Sequence, residues 1–169
     1  MDKGLARHHG AVLVLWALGW LWAFPAEGRA VTAKVTGVDS GSQVLVFLDS
    51  KVERIELYGV HSPKSGKPGH RQPRDFTTDR VFGKVVELEF IKREGEALRH
   101  ALLRVDGALL NEELVRQGLA WVHPHLCRLP ACEQWKGLED EAREASRGLW
   151  ANAKAFPPWD ERRTRQRKR

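Results

Sequence analysis

Between Val31 and Val105 the chain reads as a succession of five strand-like segments parted by short turns, and that rhythm leaves few folds open. "VTAKVTGV" alternates weakly, and "QVLVFL" (43–48) is a continuous apolar run short enough for a buried strand. After the Asp49-Ser50-Lys51 turn, "RIELYGV" sets Ile55, Leu57 and Gly59 on one face and Arg54, Glu56 and Tyr58 on the other. "KVVELEF" opposes Val86, Leu88 and Phe90 to Val85, Glu87 and Glu89, and "HALLRV" (100–105) ends at the Asp106-Gly107 turn. Prolines and glycines make 61–73 a loop, and 74–82 reads as a short helix ended by Gly83. Asn111 is placed as the N-cap of a helix over "EELVRQ". Trp135, Leu138, Ala142 and Ala145 form the apolar stripe of a second helix, from about Ala131 to Arg147, with Gly148 as its stop. This order predicts a mostly β, α+β fold: a five-stranded OB-type barrel with about three packed helices.

The two ends differ from this domain. Lys3 and Arg7 precede "AVLVLWALGWLWAF" (11–24). That run is shorter than the ~20 residues of a membrane span and fits the apolar core of a secretory signal, with "GRA" at Ala30 as the cleavage site. Residues 1–30 are therefore expected to be a signal peptide, or an uncleaved anchor touching the membrane through 11–24. Residues 31–160 are the expected domain, secreted or periplasmic. The chain carries a net charge of +6, of which the tail "ERRTRQRKR" (161–169) holds +5 and residues 1–30 hold +1. Residues 31–160 are thus neutral overall, which excludes a uniformly basic nucleic-acid-binding domain. The tail arginines, Arg162, Arg163, Arg165 and Arg167, are the expected electrostatic grip on nucleic acid or an anionic surface. Cys127 and Cys132, in "CRLPAC", are the only cysteines, and in an exported chain they suggest a disulfide. A zinc site completed by His123 and His125 is the alternative.

"VDSGSQVLV", "ELYGVHSPK", "GKVVELE", "LLRVDGALLNEELVRQGLAWV", "EAREASRGLW" and "PPW" follow one another in this chain. In that order they resemble the staphylococcal-nuclease-like, or thermonuclease, family, over roughly Val31 to Trp159. The resemblance implies the same OB barrel, and in active members a calcium-dependent endonuclease cutting DNA and RNA. Such chemistry needs carboxylates around the cation, a glutamate to activate water, and two arginines against the charge of the phosphate in the transition state. Carried over by position, the metal carboxylates fall on Ser42 and on His61, with Ser62 beside it. The first arginine falls on Glu56, the base on Lys64, and the second arginine on Leu98. None keeps its chemical type. The nearest substitutes are Arg54, His61 and Arg99, with Asp39 the one carboxylate close to the metal position.

Where the acidic site of the family would stand, His61, Lys64, Lys67, His70, Arg71 and Arg74 compose a cationic rim. The leading expectation is a catalytically degenerate domain that binds a polyanion such as nucleic acid without a cofactor, calcium entering only if the family's activity persists. The alternatives are an active metal-dependent endonuclease and a periplasmic scaffold for an envelope protein. A monomer is expected. Trp121, Trp135, Trp150 and Trp159 read as packing residues, Trp159 pinning the C-terminal segment, and with no aromatic ladder in sight backbone contact is favoured over base reading.

Overall fold

In the computed structural model, residues 30–92, 99–152 and 156–160 are described. The expected leader, but for Ala30, and the basic tail lie outside them. Along the chain run β1 (Val31–Ser40), β2 (Gln43–Leu48), β3 (Lys51–Leu57), β4 (Val60–His61), α1 (Arg71–Val81), β5 (Val85–Ile91) and β6 (Arg99–Val105). Then come β7 (Ala108–Leu109), α2 (Leu110–Arg116), β8 (Trp121–Val122), α3 (Ala131–Glu144) and a 3₁₀ turn at Gly148–Ala151.

Five strands pair in the order β3-β2-β1-β5-β6, and β3 meets β6 in parallel, Ile55 opposite Arg99 and Leu57 opposite Ala101. That last pairing closes the barrel, so the expected five-stranded OB-type architecture is present, with three α-helices among the described residues. The Asp49-Ser50 turn takes positive φ at both residues, the twist that a two-residue hairpin needs. β1 slips register against β2 between Val35 and Gly37 and again between Val38 and Ser40. Such irregularities bend a strand, as closure requires. Val35, Val44, Val46, Ile55, Leu57, Leu88 and Leu103 fill the interior. Leu110, Leu114, Val115 and Trp135 of α2 and α3 are buried with them. β4 and β8 form a separate two-stranded ribbon, with Val60 opposite Val122 and His61 opposite Trp121.

Several local expectations need correcting. "QVLVFL" buries only one face: Phe47 is exposed beside its cross-strand partner Val52, since a barrel wall has an outside. Tyr58 is buried rather than outward, because β3 ends at Leu57 and the chain turns at Gly59 with φ +73°. α1 begins at Arg71, three residues earlier than its pattern indicates, with Pro73 in the first turn, where a missing N–H costs nothing. Asn111 is no N-cap. It lies fully buried inside α2, accepts a hydrogen bond from the Leu103 amide (3.0 Å) and donates to the carbonyls of Tyr58 (3.0 Å) and Ala101 (3.3 Å). α3 ends at Glu144, and its C-terminal turn is closed by Ser146 at φ +51°, with the Arg147 amide reaching back to the Ala142 carbonyl, so Gly148 is not its stop.

Candidate nucleic-acid interface

The Ser40–Ser42 turn joins β1 to β2 and packs under the first turn of α1. The Thr77 hydroxyl donates to the Gly41 carbonyl at 2.7 Å, and a Cβ on Gly41 would lie 2.5 Å from that of Pro73. The same turn is bound to the loop after β4. The Ser42 amide donates to Ser62 Oγ (2.9 Å), the Ser62 amide donates to Ser42 Oγ (3.1 Å), and the two hydroxyls lie 3.2 Å apart. Both serines are buried.

This arrangement tests whether calcium suits the site. Calcium takes six to eight oxygen ligands, carboxylates foremost. Here the positions to which the resemblance assigns the metal ligands present neutral hydroxyls spent on one another and a histidine ring. Among the described residues no three His, Cys, Asp or Glu side chains converge to hold a metal ion. The residues present do not fit the cation.

The substitute arginines are engaged as well. Arg54 Nε lies 2.8 Å from Asp39, which joins the one carboxylate near the metal position to a guanidinium. Arg99 lies 2.8 Å from Glu53 and over the Phe90 ring, 3.6 Å from its centroid. Hydrogen bonds from Arg99 and then Lys51 hold the Glu53 carboxyl below its ordinary range. Glu56, on β3, is half-buried opposite Gln43 and His100. Leu98, the expected second arginine position, lies outside the described residues, as do Arg162, Arg163, Arg165 and Arg167.

His61 is neither a loop residue nor a cation. The β4–β8 ribbon sets it half-buried beside Trp121, rings nearly parallel with centroids 6.5 Å apart, and Trp159 meets it edge-on at 6.1 Å. Burial, then the charge of Lys64 and of His123, lowers its pKa to about 4. At neutral pH it is uncharged, and a base that weak is poorly matched to activating water. Trp159 also packs against His123 at 4.7 Å and Trp121 at 6.5 Å, so the C-terminal segment is pinned as expected.

The remaining rim residues fall into two adjoining depressions. Lys64 and Lys67, both exposed, line a cleft of about 320 Å³ with His61, Trp121, Pro63 and Pro68 on the domain side and Phe156 and Pro158 on the C-terminal side. Lys67 also borders a wider, open depression of about 560 Å³ with His70 and Arg71. His70 Nδ1 lies 2.9 Å from the Lys67 carbonyl, and Arg74 turns its Nε to the Val38 carbonyl at 3.1 Å. Lys64, Lys67 and Arg71 thus border the two adjoining depressions, whereas Arg74 is not among the residues lining either. Sequence reasoning missed Phe156, Pro158 and the role of Trp121 as cleft walls; the cluster "FPPW" just past the last helix was the available signal.

Cys127 and Cys132 form a disulfide with Cα atoms 5.6 Å apart, which removes the thiolates that zinc would need. Cys127 packs against Gly59, whose carbonyl accepts from the His123 amide at 2.8 Å. The bridge therefore buttresses the turn that leads into His61.

Comparison with known proteins agrees with this fold. Residues 54–152 match the family described as staphylococcal nuclease homologue. The chain belongs to that family. An uncharacterized endonuclease of Escherichia coli O157:H7 is 30% identical over 149 residues, covering 87% of this chain and 92% of its own. The thermonuclease of Staphylococcus hyicus is 26% identical over 129 residues, 72% of this chain and 76% of its own. A staphylococcal-like nuclease of Arabidopsis thaliana is 26% identical over 135 residues, 78% of this chain and 41% of its own. As a staphylococcal nuclease homologue, the protein keeps the barrel and carries Ser42, Glu56, His61 and Lys64 at the positions to which the resemblance assigns the family's site.

Proposed function

We propose that this chain is an exported staphylococcal-nuclease-like domain that binds a polyanion, nucleic acid foremost, and does not hydrolyse it. The observation that carries the reading is the Ser42–Ser62 pair. Two buried hydroxyls satisfy each other's amides at the positions to which the family resemblance assigns the metal carboxylates. Lys64, Lys67, Arg71 and Arg74 then supply fixed positive charge to a surface with no cation to mediate it, and phosphate oxygens are the complementary ligand. Export is supported by the buried disulfide, which persists in oxidising compartments, and by the signal-like run before β1.

Single-stranded and duplex DNA and RNA incubated with calcium, magnesium, manganese or no added metal are expected to remain intact, while anisotropy shows binding that weakens steeply with salt. The names of the relatives favour a second reading, an active metal-dependent endonuclease. Metal-dependent cleavage that is lost in His61→Ala would establish it and overturn the first.

A further inference from the structure

The polyanion reading leaves unexplained why the lysine-bordered cleft is walled by apolar rings. We propose that this cleft holds one unstacked base of a single-stranded nucleic acid, with the neighbouring phosphates on Lys64 and Lys67. The proposal rests on the polyanion reading and names the form of nucleic acid it concerns.

Three observations converge. Phe156 leaves 54% of its surface in solvent although it lines a concave site beside Pro158 and Pro68. An exposed phenyl ring in a cleft offers apolar area that a flat ligand can cover. Its segment is held in place, because Pro157 is buried and Trp159 packs against His61, Trp121 and His123. The wall is therefore built before any ligand arrives, which reduces the ordering cost of binding.

The cleft's chemistry is mixed in a specific way. None of its lining residues is acidic and two are lysines. A site for phosphate alone would need no aromatic wall, and a site for an apolar ligand would need no cations. A base attached to its phosphates satisfies both. The volume of about 320 Å³ lies at the small end of ligand sites, which run from roughly 300 to 1,000 Å³, and suits one ring system rather than a stack. Lys67 borders both this cleft and the open depression that holds Arg71, so a strand leaving the cleft meets further positive charge. Bases in a duplex are stacked and paired and cannot enter; bases of a single strand are free to turn out.

The test compares three fluorescent probes at one salt concentration: a short oligothymidylate, an abasic oligomer with the same number of phosphates, and a duplex of equal length. Each is titrated with the full chain and with its Phe156→Ala and Phe156→Trp variants. The oligothymidylate is expected to bind the unaltered chain at least about 5-fold more tightly than the abasic oligomer, the lower bound for stacking one base on an aromatic ring. Phe156→Ala is expected to erase that preference without changing affinity for the abasic oligomer, and Phe156→Trp to keep it. Equal affinity for thymidylate and abasic oligomers overturns the base site and leaves the polyanion reading standing. A preference that survives Phe156→Ala, or a variant that weakens both oligomers alike, also overturns it. Failure of every oligomer to bind sinks both.

Discussion

Burial holds the His61 imidazole at a pKa of about 4, and the Lys64 ammonium and the His123 ring add to the depression. The consequence for stability has a definite sign. In the unfolded chain the ring titrates near its ordinary value of about 6.5, so as pH falls the unfolded state takes up the proton first. The stabilisation is fully present above pH ~6.5 and is lost progressively as pH falls towards ~4. His61→Phe removes the titration and keeps a ring beside Trp121. Unfolding free energies measured from pH 7.5 to 4 should show the unaltered chain losing stability relative to this variant within that window; parallel curves would contradict it. None of this was legible at the position itself. The segments that bury His61, β4 and β8, lie some sixty residues apart, and pairing at that distance leaves no local pattern. The substitutions at Ser42, Glu56 and Lys64 were legible, because a motif shows its missing charges directly. That Ser42 and Ser62 bind each other was not, since two serines carry no signal of partnership.

At the scale of elements, the disulfide loop and the turn after β3 behave as one unit. Gly59 has φ +73°, and a Cβ there would lie 2.6 Å from Cys127 Sγ and 3.2 Å from the Trp135 ring. Gly59→Ala combines left-handed strain with overpacking, each worth about 1–3 kcal/mol, so a loss of roughly 2–6 kcal/mol is expected. Removing the bridge by Cys127→Ala with Cys132→Ala should cost about 2 kcal/mol, the chain-entropy value for so short a loop. It also removes the sulfur that the new methyl group would strike. The triple variant should therefore lose less than the sum of the two effects, which urea unfolding of the four proteins would show as a coupling term. Strict additivity would mean that bridge and turn are independent. The strand periods and the cysteine pairing were readable because they depend on neighbours in sequence. Asn111 was misread because an asparagine ahead of two glutamates has the local look of a cap. Of its real partners, Tyr58 lies just past the end of β3, and Leu103 and Ala101 lie on β6.

Over the whole molecule the charge is divided between a neutral domain and a basic tail. Within the domain, Arg54 and Arg99 are neutralised by Asp39 and Glu53, while Lys64, Lys67, Arg71 and Arg74 are exposed. Net charge therefore understates the domain's capacity to meet a phosphate chain, and the pI of about 9.6 mostly reports the tail. Salt dependence separates the two. For single strands the slope of log K against log salt is about −0.7 per phosphate neutralised. Four rim cations alone give a slope of about −3, and tail contacts make it steeper. Replacing Arg162, Arg163, Arg165, Arg167, Lys168 and Arg169 by glutamine should bring the slope back to about −3. It should also lower affinity at low salt and leave the ratio of thymidylate to abasic binding unchanged, because a tail that grips phosphates carries no preference for bases. If the six replacements abolish binding, the rim is not a site and the tail alone holds the ligand. If they leave slope and affinity untouched, the tail takes no part and the rim carries the whole interaction.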